Sequence, residues 1–172
     1  MDNNEKSKKV IVIERTGLKK MVLNNDEYNE LYMMAKKQEN EMMALLIKVL
    51  GETGIRYVTI KDFTVEAIKK GYIFVYVPKR EDDIMPLEEN LQKDLLNYIE
   101  ENNIKSGPIF VDSNGKDLSM TYINFKLKAI AKEANIDARK VSILSFRQLF
   151  FENELEKLKN SPKTEENEEE ME

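Results

Sequence analysis

Three short stretches set basic side chains among apolar or turn residues. They are Thr53-Gly54-Ile55-Arg56, the Lys79-Arg80 pair ahead of Met85-Pro86-Leu87, and Leu144-Ser145-Phe146-Arg147-Gln148-Leu149-Phe150. Lys116, within Gly115-Lys116-Asp117-Leu118-Ser119, is a fourth cation in a turn. Each has an ordinary reading by itself. Arg56 pairs with a surface acid, Lys79 is a solvated charge on a hairpin tip, and Arg147 snorkels from an apolar face made by Phe146, Phe150 and Phe151. Chemistry enters only if such cations gather on one face, which is what an anionic partner such as a nucleic acid requires.

Other chemistries fail on residue type. The chain has 172 residues, 27 Lys+Arg, 32 Asp+Glu, and no His, Cys or Trp. Without Cys there is no disulfide, thiol nucleophile or thiolate metal site. Without His, the commonest general base and metal ligand are missing, so Ser-His-Asp and Cys-His hydrolases, zinc fingers and most zinc hydrolases are excluded. No GxxxxGK[ST] or GxGxxG stretch supports nucleotide binding. Asp112–Ile123 opens like a calcium loop, but Lys116 and Ile123 occupy positions that need oxygen ligands, so it reads as a turn. Asp82 and Asp83 sit together on a hairpin tip, where solvation keeps a carboxylate pair ordinary. The formal net charge of −5 is local in origin: residues 164–172 hold six acids and no base, and the other 163 residues carry 27 bases and 26 acids.

The elements that must position these residues follow from spacing. The length fits one domain. Residues 1–20 form a polar extension in which KVIVIE, 9–14, is an edge-strand candidate. Asn24-Asn25-Asp26 caps a helix over about 26–37, and a second helix runs from about Glu39 to Leu50, ended by Gly51 and Gly54. Phe63–Ile68 reads as a weak strand, Lys69-Lys70-Gly71 as a turn, and Tyr72–Val77 as a strong strand closed by Pro78. Lys79–Asp83 is a hairpin tip and Ile84–Leu87 the returning strand. Glu88–Asn102 is an amphipathic helix, Gly107–Val111 a short strand and Asp112–Gly115 a turn. Ser119 caps a helix over about 120–134, and a last helix covers Val141 to about Lys159. Residues 161–172 form a charged tail of disordered composition. The predicted class is α+β, mostly helical with a small antiparallel sheet. The Met pairs 33–34 and 42–43 read as core.

The order of these pieces resembles the catalytic domain of tyrosine recombinases, the phage-integrase family, over about Met21 to Leu158 and, as a domain, 21–160. TGIR is similar to that family's TGLR box, FTVEAIKKGYIFVYVPKREDDIMPL to its hairpin segment, and LSFRQLFF to its H-x-L-R-H-x-F-A box. The wording of the motifs, with AT-rich residue usage, is most similar to integrases of mobile elements in low-GC Gram-positive bacteria. The resemblance implies DNA recombination and integration by attack of a Tyr hydroxyl on a phosphodiester. It assigns Arg56 and Arg147 to the phosphate, whose charge the planar guanidinium fork suits. Lys79 becomes the general acid for the leaving 5′ oxygen, with Arg80 as its competitor. It implies DNA contact through Arg56, Lys79, Arg80, Lys116 and Arg147, and no cofactor or metal.

Departures from the family pattern carry equal weight. Leu144 and Gln148 stand where the family has His, and Thr59 where it has an acid. The last Tyr is Tyr122, and none of the 25 residues after Arg147 is Tyr, His or Trp. The expectation is a catalytically degenerate chain that binds DNA and does not cleave it alone. An intact recombinase or self-association is a partner of this reading. The alternative is a protein-interaction or regulatory module of a mobile element that has lost DNA contact. No 18-residue apolar run or secretory signal is seen, so a cytoplasmic location without membrane contact is expected. On the last helix, Phe146, Leu149, Phe150, Leu155 and Leu158 form an apolar stripe that must pack on the body or await a partner.

Overall fold

A computed structural model describes residues 22–77 and 83–161 of the chain. Helix α1 (Asn25–Lys37) starts on a capping box. The Asn24 side chain accepts the Glu27 N–H, and the Glu27 carboxylate accepts the Asn24 N–H. Helix α2 (Glu41–Thr53) buries Met43, Ala44, Leu45, Leu46, Ile47, Val49 and Leu50. A helix apolar on nearly every side has to be central. Accordingly α2 packs against α1, against α4 (Glu89–Glu101) and against the last helix, α6 (Ile143–Asn160).

The second helix was expected to stop at Gly51; it continues to Thr53. Gly51 is internal, and a Cβ there would fall 2.3 Å from the Tyr28 ring of α1. The glycine is therefore a place of close approach between α1 and α2 rather than a stop signal. Gly54 is the stop: it lies in the left-handed region at φ 59°, and its N–H bonds the Leu50 carbonyl.

A 3₁₀ turn, Tyr57–Asp62, follows. The strand expected over Phe63–Ile68 is instead helix α3 (Val65–Lys70). The Thr64 hydroxyl accepts the Ala67 N–H and caps it, and Gly71 at φ 83° ends it. Of the expected strand only a single Thr64–Pro108 bridge exists, and the strand expected over Gly107–Val111 likewise reduces to that bridge and one between Val111 and Asp117. Phe63, Ile109 and Phe110 are buried, so both stretches pack into the core without forming the expected strands.

The sheet is a two-stranded antiparallel ribbon of β1 (Tyr72–Val75) and β2 (Asp83–Pro86), with Ile73 opposite Met85 and Phe74 opposite Ile84. Strand β1 ends at Val75, opposite Asp83, two residues earlier than expected, with Tyr76 and Val77 continuing the chain beyond it. Alternation sends Ile73 into the core, while Phe74 and Ile84 face outward. Pro78, the Lys79-Arg80 pair and Asp82 lie outside the described residues, as do the 9–14 strand candidate and the acidic tail.

Helix α4 buries Leu91, Leu95 and Ile99 on one face. The turn after it is an Asx turn: the Asp112 carboxylate accepts the N–H groups of Asn114 and Lys116. Helix α5 (Met120–Glu133) is capped by Ser119 as expected. Before α6, Asp137 caps a short 3₁₀ turn and takes both the backbone N–H and the guanidinium of Arg139. Those bonds, the Arg139 side chain foremost, hold its carboxyl at about 2, below its ordinary value of 3.8. A depressed carboxyl contributes stability that is complete above the unfolded value and lost as pH falls through the folded one. Asp137→Asn is therefore expected to flatten part of the acid-side fall in stability between about pH 4 and pH 2, as read by urea unfolding across that range.

Helix α6 begins at a Ser142 cap, two residues later than expected. Its first half is anchored, with Phe146 and Leu149 buried; its second half leaves Leu155 and Leu158 exposed, by 57% and 72%. The apolar stripe is thus divided between core and surface. Among the described residues, no helix is long and apolar enough to cross a membrane.

Candidate functional site

The turn that ends α2 sets the site. The left-handed Gly54 reverses the chain, Ile55 is buried beneath it, and Arg56 emerges into solvent in extended conformation. Arg56 makes no hydrogen bond or ion pair with the described residues. Its ordinary reading, a surface pair with an acid, is therefore absent from this structure among those residues.

Arg147 lies in the first half of α6, half-buried, and is held from two sides. One guanidinium N–H group donates to the Gly54 carbonyl, and the guanidinium carbon lies 4.8 Å from the centre of the Phe151 ring, one turn along the helix. Burial pushes its pKa down, and the positive charge of Arg56 adds to that. Two residues 91 apart in the chain are thereby close enough to repel.

Both arginines line one cavity of about 370 Å³. Its other walls are the Thr53–Gly54 turn, Thr59, Phe151 and the β-ribbon, which contributes Val75, Tyr76 and Val77 from one side of the hairpin and Asp83, Ile84 and Met85 from the other. Asp83 is the one carboxylate among the described lining residues, and it accepts the N–H of Ile84. The cavity is open, carries net positive charge from its described walls, and is large enough for a tetrahedral oxyanion. Two guanidinium groups at close range favour an anion between them, and each can donate paired hydrogen bonds to its oxygens. No cluster of three acids that could hold a metal ion occurs among the described residues.

Of the residues singled out in the sequence, the structure brings Arg56 and Arg147 together. Lys116 sits on the Asp112 turn and is not part of the cavity wall; Lys79 and Arg80 lie outside the described residues. Leu144 is exposed and Gln148 is exposed, and neither lines the cavity. Thr59 does, as a buried side chain. Sequence reasoning missed Tyr76 and Phe151 as wall residues. The alternation of YIFVYV, which puts Tyr72, Phe74 and Tyr76 on one side, was the available signal for the first. The i, i+4 spacing from Arg147 was the signal for the second.

The model of the Phage integrase family matches residues 21–157. Among solved structures, XerA recombinase superposes with a TM-score of 0.66 at 21% identity, over 79% of this chain and 50% of that one. XerH site-specific recombinase, bound to its difH substrate in a pre-cleavage complex, gives 0.65 at 19% identity, over 80% of this chain and 43% of that one. Lambda integrase, residues 75–356 bound to DNA, gives 0.59 at 19% identity, over 78% and 51%. At such identities the likeness is one of fold, and it makes the predominantly helical body with a small ribbon that of a tyrosine recombinase catalytic domain. The chain spans about half the length of these structures. Among curated proteins, none matches the sequence.

Proposed function

We propose that this chain, which belongs to the phage integrase family, serves DNA recombination by gripping a DNA phosphate between Arg56 and Arg147, and that these 172 residues alone do not break the strand. The observation that carries the reading is the meeting of the two arginines over one cavity, with Arg147 fixed by the Gly54 carbonyl and the Phe151 ring. In this role Arg56 is the solvent-facing arm and Arg147 the oriented one. Lys79, with Arg80 as competitor, would stand over the leaving 5′ oxygen from the hairpin, and Lys116 would add a peripheral phosphate contact.

The test is duplex binding measured across a salt series. Each phosphate contact removed lowers the slope of log affinity against log salt by about 1. Arg56→Ala and Arg147→Ala are each expected to show that change and to weaken binding by roughly tenfold or more, the scale of a lost charge-assisted bond. Unchanged slopes in both variants would overturn the phosphate grip. A suicide substrate tests the second half of the proposal. No covalent protein–DNA adduct is expected, although Tyr76 lines the cavity; an adduct mapped to any Tyr would refute the claim of inactivity.

One observation favours a second reading. The outer half of α6 exposes Leu155 and Leu158, with Phe151 46% exposed on the preceding turn, and exposed apolar side chains grouped on one element mark interaction surfaces. Under that reading the chain is a protein-interaction module whose partner is an intact recombinase or a second copy. DNA affinity indifferent to both arginines, together with a partner lost on Leu155→Ala/Leu158→Ala, would select it.

A further inference from the structure

A second, larger groove of about 1150 Å³ runs beside the arginine cavity and shares Thr53, Met85 and Pro86 with it. Its floor is apolar, made by Tyr28, Met85, Pro86, Leu91 and Phe150. Its rim is acidic: Glu52, Glu88, Glu154 and Glu156 line it with one cation, Lys157, which pairs with Glu154 at 2.7 Å, while Glu52 lies 3.9 Å from Lys48 outside the rim. An occupant of this groove has to be apolar along its length and positive at its edges.

The chain itself supplies such a segment. Residues 8–20, KKVIVIERTGLKK, hold the apolar run Val10–Ile13 flanked by Lys8, Lys9, Arg15, Lys19 and Lys20, with Glu14 their one acid. The first described helix starts beside the groove. Leu23 is buried, and the Asn25 carboxamide exchanges hydrogen bonds of 3.0 and 2.9 Å with Asn153, which lines the groove together with Tyr28. Thirteen extended residues reach about 40 Å, ample to run along it. The other end of the chain leaves from the groove too, at Ser161. Residues 162–172, however, carry six acids and one Lys, a charge the rim repels.

We propose that residues 8–20 dock in this groove within the same chain, the Val10–Ile13 run on the apolar floor and the flanking cations against the four glutamates. The electrostatics of the rim agree: burial holds the Glu52 carboxyl above its ordinary value, and the charges of Asp94 and Glu88 reinforce this against the pull of Lys48. A cationic segment along the rim relieves that crowding. The docked segment lies at the edge of the arginine cavity, because the two hollows share a wall.

The test places the photo-cross-linker p-benzoylphenylalanine at Ile13 of the full chain. The expected product is an intramolecular cross-link, on a monomer, to residues 83–91 or 150–161. Its yield should fall roughly tenfold in E88K/E156K, the scale of two reversed rim contacts, and in 1 M salt, where screening is within about 3 Å. Because E88K/E156K alters the body, K8E/K9E provides a variant outside it. It should lower the yield likewise, and combining the two charge swaps should restore it. Cross-links to residues 162–172, cross-links between copies, absence of any cross-link, or a yield indifferent to both charge swaps would each overturn the proposal.

Discussion

Phe146→Ala is expected to lower the unfolding free energy by about 3–5 kcal/mol, the range for truncating a fully buried Phe. Phe146 is fully buried and meets the Tyr28 ring edge-on, at 6.2 Å between ring centres and 76° between planes. Tyr28 in turn rests on Gly51, so one aromatic contact ties together α1, α2 and α6. Truncation removes transfer energy and leaves a cavity walled by three helices, none of which collapses into it without disturbing the other two. Leu158→Ala, on the same helix but 72% exposed, is the control and should stay within about 0.5 kcal/mol. Urea unfolding of the pair measures the difference. Equal stabilities would mean that α6 is not anchored at its first half, and the position of Arg147 would lose its basis.

What the sequence disclosed and what it hid divide along a physical line. Features set by neighbours a few residues away were legible. The Ser119 cap, the Asx turn at Asp112 and the amphipathic face of α4 all involve groups within one or two turns of one another. So was the α+β class, because the helical periods are long and the YIFVYV run is not. Features set by distant contacts were hidden. Thr64, Val65 and Ile68 have β-branched side chains and read as strand, yet a hydroxyl cap and a left-handed glycine close a six-residue helix around them. Propensity is a weak prior over so short a stretch, and packing decides. Gly51 looked like a stop because glycine usually is one; only the Tyr28 ring, 23 residues away, shows that it is a contact. The same holds at the site. Arg56 and Arg147 were legible as motif residues, but the partner that orients Arg147 is the backbone carbonyl of Gly54, which carries no side-chain signal. The cavity's remaining walls come from the β-ribbon, whose two strands are brought together by pairing across the hairpin.

Gly54 is where fold and site are joined, and Gly54→Ala is expected to cost about 2–5 kcal/mol. Two terms contribute. The left-handed backbone at φ 59° penalises any Cβ by about 1–2 kcal/mol. The added carbon would also lie 2.3 Å from the Phe150 ring, an overlap of the kind that costs about 1–3 kcal/mol. Gly115→Ala separates the two terms. Gly115 is also left-handed, at φ 76°, but a Cβ there meets nothing within 4 Å, so it carries the backbone term alone. Combining Gly54→Ala with Phe150→Ala removes the ring from the collision. The double variant should therefore lose less than the sum of the two single losses, a favourable coupling that a double-mutant cycle reads directly. Relief of the clash moves the Gly54 carbonyl, and with it the hydrogen bond that aims Arg147. The Gly54→Ala protein that remains folded is thus expected to bind duplex DNA more weakly than Gly115→Ala, with a salt slope reduced toward that of Arg147→Ala. A Gly54→Ala variant as stable as Gly115→Ala would show that Phe150 yields freely. One that is destabilised yet binds DNA unchanged would show that the carbonyl does not orient the guanidinium.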